Sequence, residues 1–462
     1  MNRLVGAVLL ALAFGVFPVN LASSQETGTA SLPGAVPAEA ALDTGIQEGL
    51  AVTLEEARSL ALTGNADLRS QRLSLDSARR SSQSRWNAFL PGISLNGGIS
   101  NSHGITDGAA SSWGWNASSG LTLSLTAGIP VQMRLAALGY ELAQTNYQMQ
   151  LQTVMASVAS SFYNLVAEAQ SLAILEDNVE LTRQQYEQAR SDYNRGLASE
   201  LEMLRSQYAY VSAGPQLERA KSQYQSNLAA FQILVGSQRP LVPAGDVLLR
   251  RLNLPSPEDL SRTHLEGRLD VIRGRQVLRE AELSRTAAAL SALAPSVSLS
   301  ESFSMGPAGG RMDGEPSVSG RFSVSVSIPV DGFIPGSPEN LSVKRAGDTV
   351  EAAQLSLETI LSKAHQDIVA KASEVELLWN AIAVASLNES IAERAYQLSQ
   401  EGWRAGLVSQ TDLEDTRQQM VSAQLAAGTS RSQYLVGVGS LADALGLTVE
   451  QVYELYGVNE DE

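Results

Sequence analysis

Asp412 and Asp415 stand three residues apart, so on a helix their carboxylates share one face. Two carboxylates so placed concentrate negative charge on that face. Asp412 also follows Ser409 by three residues, as Glu202 follows Ser199. That spacing is a capping box: the serine caps a helix start, and the carboxylate reaches back to the cap's own N–H. Capping accounts for Ser199, Glu202, Ser409 and Asp412, but it leaves Asp415 unexplained. Other chemistry is thin. His103, His264 and His365 are far apart and form no HExxH-like pattern, so no metal site is expected. There is no GxSxG elbow and no phosphate-binding glycine loop. Tyr186, Tyr208, Tyr224, Tyr396 and Tyr434 sit at helical spacing and read as packing residues. No cofactor and no enzymatic activity is expected.

The carboxylates lie in a passage that the chain states twice. RGLASELEML begins at Arg195, and AGLVSQTDLE begins at Ala405, at a constant offset of 210 residues. Tyr186 matches Tyr396, Tyr193 matches Trp403, and Gly196-Leu197 matches Gly406-Leu407. Ser199 matches Ser409, Tyr224 matches Tyr434, and Gly236 matches Gly446. Each copy reads as the tip of a helical hairpin reversed at a glycine.

The chain has 462 residues, a formal charge of -16 and no cysteine. That charge, with no Lys/Arg cluster, argues against a nucleic-acid partner. Residues 1–24 read as a secretory signal, with Arg3, an apolar core over residues 4–19 and the small residues Ala22-Ser23-Ser24. Residues 25–52 read as a flexible linker. After the signal no run of 18 apolar residues occurs. A membrane crossing must therefore be made by strands, and only a closed barrel satisfies their backbone groups in lipid.

Thr53 and Glu56 open an amphipathic helix expected to run to Phe89, with Pro91 ending it. Alternation then marks a strand through Ile93, Leu95, Gly97 and Ile99, and a second in LTLSLTAGIPV. A helix of roughly 90 Å follows from Gln132 to Tyr193. Its seam is Leu172, Leu175, Val179, Thr182, Tyr186, Ala189 and Tyr193, with steps of three and four. A return helix follows the Gly196 turn, with a kink expected at Gly214-Pro215. Repeat one thus spans residues 53–236, a Pro-rich connector residues 237–256, and repeat two residues 257–446. A C-terminal equatorial segment takes residues 447–462. Repeat two has a helix from Pro257 to Leu293, the strands VSLSESFS and FSVSVSIPV, a long helix over residues 339–403 and a return helix over residues 409–445.

The strands decide the class. Leu121, Leu123, Leu125, Phe322, Val324, Val326 and Ile328 lie on one face, and the other face is almost purely Ser and Thr. Apolar residues toward lipid and small polar residues toward a lumen are what an outer-membrane barrel requires, and Trp113 and Trp115 suit its interfacial belt. Four strands are too few to close, so several chains must contribute.

Over essentially the whole mature length the chain resembles the TolC family of outer-membrane efflux and type I secretion channels. The resemblance rests on VTLEEARSLALTGNADLRS, FLPGISLNGG, LTLSLTAGIPV and the paired tips. It implies a mainly α fold with a membrane β-barrel portion, built as a duplicated helix–strand–strand–long helix–return helix protomer. It also implies a homotrimer in outer membrane lipid, with four strands per chain in a twelve-stranded barrel above a periplasmic helical tunnel. At the tips it implies an entrance ringed by Asp412 and Asp415, and an aromatic hydrogen bond from Trp403 to Glu202 between neighbouring hairpins. Val408 departs from a branch that places an arginine there, leaving Arg205 as the opposing charge. Gly196, Leu197, Ser199, Gly406, Leu407 and Ser409 would meet a periplasmic adaptor coupled to an inner-membrane pump. The tip leucines read equally well as a local staple of the turn. A periplasmic adaptor is the alternative reading, weakened by the presence of two long hairpins where an adaptor has one.

Overall fold

The computed structural model describes residues 50–102, 112–244, 249–307 and 314–458. Residues 1–24, most of residues 25–52 and His103 lie outside the described residues. The described chain opens with strand β1 (Leu50–Val52), which pairs in parallel with β4 (Leu241–Pro243) from the connector. The segment read as a flexible linker therefore ends in a strand, and its Val52 is buried.

The first helix is two helices. Helix α1 (Leu54–Gly64) starts from a complete Thr53–Glu56 capping box, and α2 (Ala66–Gln83) restarts after Asn65. A 3-10 segment, Ser84–Phe89, replaces the expected final turns. The break has a physical cause. Asn65 accepts from the Leu68 N–H at 3.0 Å as cap of α2, and its amide donates to the Leu234 carbonyl at 2.7 Å. Repeat two breaks likewise, into α5 (Pro257–His264) and α6 (Leu269–Leu293). Here the Arg268 guanidinium donates to the Ala444 carbonyl at 2.7 Å and pairs with Asp270 and Asp367. Leu234 and Ala444 are themselves repeat-equivalent, so one tether is built twice with different side chains.

Antiparallel strands β2 (Gly92–Ser102), β3 (Ser112–Thr126), β5 (Ser296–Pro307) and β6 (Pro316–Ser327) form one sheet in the order β2-β3-β5-β6. The central β3–β5 pairing joins the two repeats, and β2 and β6 are edges. Helix α3 (Ile129–Asn194) takes in the Ile-Pro-Val that sequence reading assigned to the strand. Pro130 fits its first turn because no N–H is required there. The matching Ile328-Pro329-Val330 lies beyond β6 and outside any helix, so the repeats diverge at this point.

Helix α3 has 66 residues and its counterpart α7 (Pro338–Arg404) has 67. At 1.5 Å per residue each spans about 100 Å, so the tips lie far from the sheet. The return helices are α4 (Glu200–Val235) and α8 (Gln410–Leu445). Helix α4 runs through Gly214-Pro215 without interruption. Along the predicted seam, Thr182 and Ala189 are buried, joined by Asn178, while Tyr193 is exposed.

Two cores lie midway along the helices, and they use equivalent positions. Val158, Phe162, Leu165, Phe231 and Val235 build the first, where β1 and α1 dock. Ile368, Ala372, Val375, Leu441 and Leu445 build the second, closed by helix α9 (Val449–Tyr456) through Val452. Glycine is required beside the first core. Gly236 has φ 75°, and a Cβ there would stand 2.2 Å from the Gly64 carbonyl carbon. The equivalent Gly446 has φ 70°, but its Cβ would clear Gly267 at 3.6 Å.

Candidate functional site

Register shows how the sheet sorts its side chains. Leu125, Val297 and Val326 align across three strands, as do Leu123, Leu299 and Val324. Ile93 and Leu121 align with Glu301 and Phe322 in the next row. Side chains alternate along a strand, so these rows share one face. Leu95 on the same face is 84% exposed in the protomer. The opposite face carries Ser94, Asn96 and Ser100 from β2, and Ser118, Thr122, Ser124 and Thr126 from β3. To these β5 adds every serine from Ser296 to Ser304, and β6 adds Ser317, Ser319, Ser323, Ser325 and Ser327. Hydroxyls bond across strands from Ser300 to Ser323 at 2.7 Å and from Ser304 to Ser319 at 2.8 Å.

Two charges interrupt the pattern, and sequence reading had passed over both. Glu301 stands on the apolar face between Leu121 and Phe322. Arg321 stands on the hydroxyl face opposite Ser302. Strict alternation through SESFS and GRFSVSV was the available signal for the face of each.

Exposed aromatic residues lie near both ends of the sheet. Trp113 and Trp115 lie toward the far end of β3, about 30 Å above Thr126 for a strand tilted by about 40°. At the near end Trp86 and Phe89, with rings 5.9 Å apart, are exposed just before β2, and Phe333 is exposed just after β6. Only the tryptophans of β3 were recognised from the sequence. The other three fall in segments read as helix end or loop.

The tips are two copies of one turn. Gly196 has φ 72° and Gly406 has φ 74°, values that favour glycine. The Leu197 N–H donates to the Asp192 carbonyl at 2.8 Å, and the Leu407 N–H to Gly402 at the same distance. Neither leucine is stapled down: Leu197 is 72% and Leu407 83% exposed. Val408 packs over Gly402, where an added Cβ would come within 2.6 Å of it.

The two caps differ. Ser199 and Glu202 form a complete box, with the Ser199 N–H donating to Glu202 Oε2 at 2.8 Å. At the second tip Ser409 accepts from the Asp412 N–H at 3.2 Å and donates to Asp412 Oδ2 at 2.7 Å. The return bond to the Ser409 N–H, expected from the sequence, is not formed there. Aspartate is one methylene shorter than glutamate and does not span the distance. Asp415 is exposed on the same helix. Among the described residues the Trp403 indole has no hydrogen bond within the protomer, and Glu202 keeps Oε1 free. Arg205 donates to the Thr411 hydroxyl and makes no ion pair among the described residues.

Four polar ties join the hairpins near the tips, none of them foreseen from sequence. Arg205–Thr411 is one, and Gln410 donating to Ser206 at 3.1 Å is the second. Gln185 donates to the Tyr396 hydroxyl at 3.3 Å, and the buried Arg417 donates to Asn178. Burial holds the Arg417 guanidinium below its ordinary pKa, while Glu414 and Tyr396 act the other way. Its Nε is buried without a partner. The sequence signal was weak because Arg417 lies in a polar run, DTRQQ, that reads as a solvated face.

His264 bonds to the Tyr456 hydroxyl and His365 to Ser261, both within the helical packing. Among the described residues no group of three or more acidic or histidine side chains is placed to hold a metal. No single helix among them is long and apolar enough to cross a membrane.

Comparison with known proteins agrees with this geometry. The family model described as outer membrane efflux protein matches the chain twice, at residues 57–237 and 262–447. Among solved structures, CusC superposes with a TM-score of 0.71 at 17% identity, over 86% of this chain and 93% of that one. The outer membrane channel CmeC of Campylobacter jejuni gives 0.70 at 17%, over 85% of both chains. The open state of the MtrE outer membrane channel of Neisseria gonorrhoeae gives 0.68 at 20%, over 86% and 89%. At these identities the likeness is one of fold. No curated protein matches the chain by sequence.

Proposed function

This chain belongs to the outer membrane efflux protein family, and from that membership we propose that three copies close one twelve-stranded barrel and conduct substrate out of the periplasm. The family is one of channels in the outer membrane with a helical tunnel in the periplasm, so the chain is no enzyme. The observation that carries the proposal is the open sheet. Its edges β2 and β6 are unpaired among the described residues, although one face is apolar but for a few residues, Glu301 among them. Backbone groups in hydrocarbon must all be bonded, and four strands cannot close on themselves. Three sheets joined edge to edge give twelve strands and leave the hydroxyl face lining the lumen.

The hairpins then form the tunnel, and their tips form its entrance. Exposed Leu197 and Leu407 at the end of each hairpin support a contact with a periplasmic adaptor, and through it with an inner-membrane pump. The assembly is that of tripartite efflux or type I secretion. Asp412 and Asp415, both exposed, would supply up to six carboxylates around the three-fold axis. Trp403 would reach Glu202 Oε1 of a neighbouring hairpin, since Oε2 is already held by the cap.

Two measurements test the proposal. The protein extracted from the outer membrane should run in detergent as three chains; a water-soluble monomer without detergent would sink the channel. Changing Leu197 and Leu407 together to Asp should abolish export while leaving that trimer intact. Unchanged export would remove the adaptor contact from the tips.

A further inference from the structure

We propose that Arg321 gives the barrel lumen a cationic collar that favours anionic solutes, in series with the acidic entrance and opposed to it. The inference rests on the trimeric barrel proposed above. Arg321 is the one charged residue on the hydroxyl face of the four strands among the described residues. It makes no ion pair among those residues, and the only acid on the strands, Glu301, lies on the other face. Arg321 belongs to the edge strand β6, so in a closed barrel it lies beside β2 of the next copy. On its hydroxyl face that strand offers Ser94, Asn96 and Ser100, with no carboxylate. Assembly therefore leaves the guanidinium unpaired and adds two more at the same height.

Geometry sets the reach of the collar. Twelve strands about 4.8 Å apart, tilted by about 40°, put the backbone about 12 Å from the axis and the guanidiniums about 8 Å from it. The Debye length is about 10 Å at 0.1 M salt and about 3 Å at 1 M. Three screened charges then raise the anion concentration on the axis about threefold at 0.1 M, and only about 1.2-fold at 1 M. The barrel is one resistance in series with the tunnel and entrance, so the measured permeability ratio should move about twofold.

The test compares wild type with Arg321→Ser in planar bilayers, using variants confirmed as trimers in detergent. At 0.1 M salt the cation-over-anion permeability ratio should rise about twofold in the variant, and at 1 M the two should coincide. The chain has no cysteine, so Arg321→Cys carries a single thiol. A water-soluble thiol reagent bearing a quaternary ammonium should return that variant to the wild-type ratio, and one bearing a sulfonate should push it further away. Equal ratios at 0.1 M in conducting trimers would overturn the collar and leave the channel standing. So would a shift that persists undiminished at 1 M, or a thiol that no aqueous reagent reaches. A wild type that conducts nothing would instead overturn the channel itself, and the collar with it.

Discussion

Strand β6 carries its own control for which face meets lipid, because Arg321 and Phe322 are adjacent and point to opposite faces. A cation is native at Arg321; moved one residue, by Phe322→Arg, it should be rejected. The structure gives the depth. Phe322 lies five residues from Ser327, the end of β6 nearest the helices. A strand rises about 3.4 Å per residue, or about 2.6 Å along the membrane normal when tilted by about 40°, which puts Phe322 about 13 Å into a band about 25 Å tall. An arginine there costs about 2–4 kcal/mol per chain, or about 6–12 kcal/mol in a trimer, of which a cross-strand pair with Glu301 directly opposite returns about 0.2–1 kcal/mol per chain. Val324 lies about 8 Å deep and Val326 about 3 Å, where the cost falls toward about 0–1 kcal/mol per chain. The assay is the fraction of each variant recovered from the outer membrane as heat-resistant trimer. Recovery should fall in the order Val326→Arg, Val324→Arg, Phe322→Arg, while Ser323→Arg matches wild type. Equal recovery of Phe322→Arg and Ser323→Arg, or a reversed depth order, would refute the assignment of faces.

Gly236→Ala should destabilise the protein more than Gly446→Ala, judged by thermal loss of helical circular dichroism. Both meet a left-handed backbone cost of about 1–2 kcal/mol, but only the first drives a Cβ into Gly64, adding about 1–3 kcal/mol. Replacing Asp412 and Asp415 together by Asn should reduce cation selectivity and abolish block by multivalent cations, with at most about 1 kcal/mol of stability lost through the Ser409 cap. Trp403→Phe should raise conductance at constant selectivity; bilayer currents identical to wild type in both variants would leave the tip a structural turn. Burial holds Glu168 above the usual carboxylate range, with the Asn227 amide offsetting part of the effect, and its Oε2 is buried without a partner. A raised folded-state pKa means that ionising Glu168 opposes folding as pH rises through it. Glu168→Gln should therefore stabilise the protein at pH 7, and the gain should vanish as pH falls below about 4.3. A gain that grows toward low pH would reverse that sign.

Much of the architecture was legible because its signals are periodic. Alternation in VSLSESFS and FSVSVSIPV marked the strands, and the 210-residue offset marked the paired hairpins. What stayed hidden depended on contacts between distant segments. Gly64-Asn65 supplies a local stop and cap for the first helix, but the tether that holds the break is Leu234, 169 residues away. Arg268 does the same through Ala444 in repeat two, and no motif is shared between an asparagine and an arginine. The tip glycines were readable because a reversal needs positive φ, whereas Arg417–Asn178 joins two helices whose register no single segment encodes. Capping was half readable: the spacing named Ser409 and Asp412, but the missing return bond depends on side-chain length.

Closure of three sheets into one barrel is the central claim, and cysteine pairing across the sheet edges tests it most directly. The chain has no cysteine, so Asn96→Cys on β2 can be combined in turn with Ser319→Cys, Ser323→Cys or Ser325→Cys on β6, all on the hydroxyl face. Within one chain β3 and β5 separate these edges by about 14 Å, beyond the reach of about 7 Å that a disulfide tolerates between Cα atoms. Any bridge must therefore join neighbouring copies. After oxidation in the outer membrane, non-reducing gels should show two-chain and three-chain species for at least one pair and nothing larger, because the ring closes at three. Monomer alone for every pair, or a ladder that continues past three chains, would contradict the closed barrel.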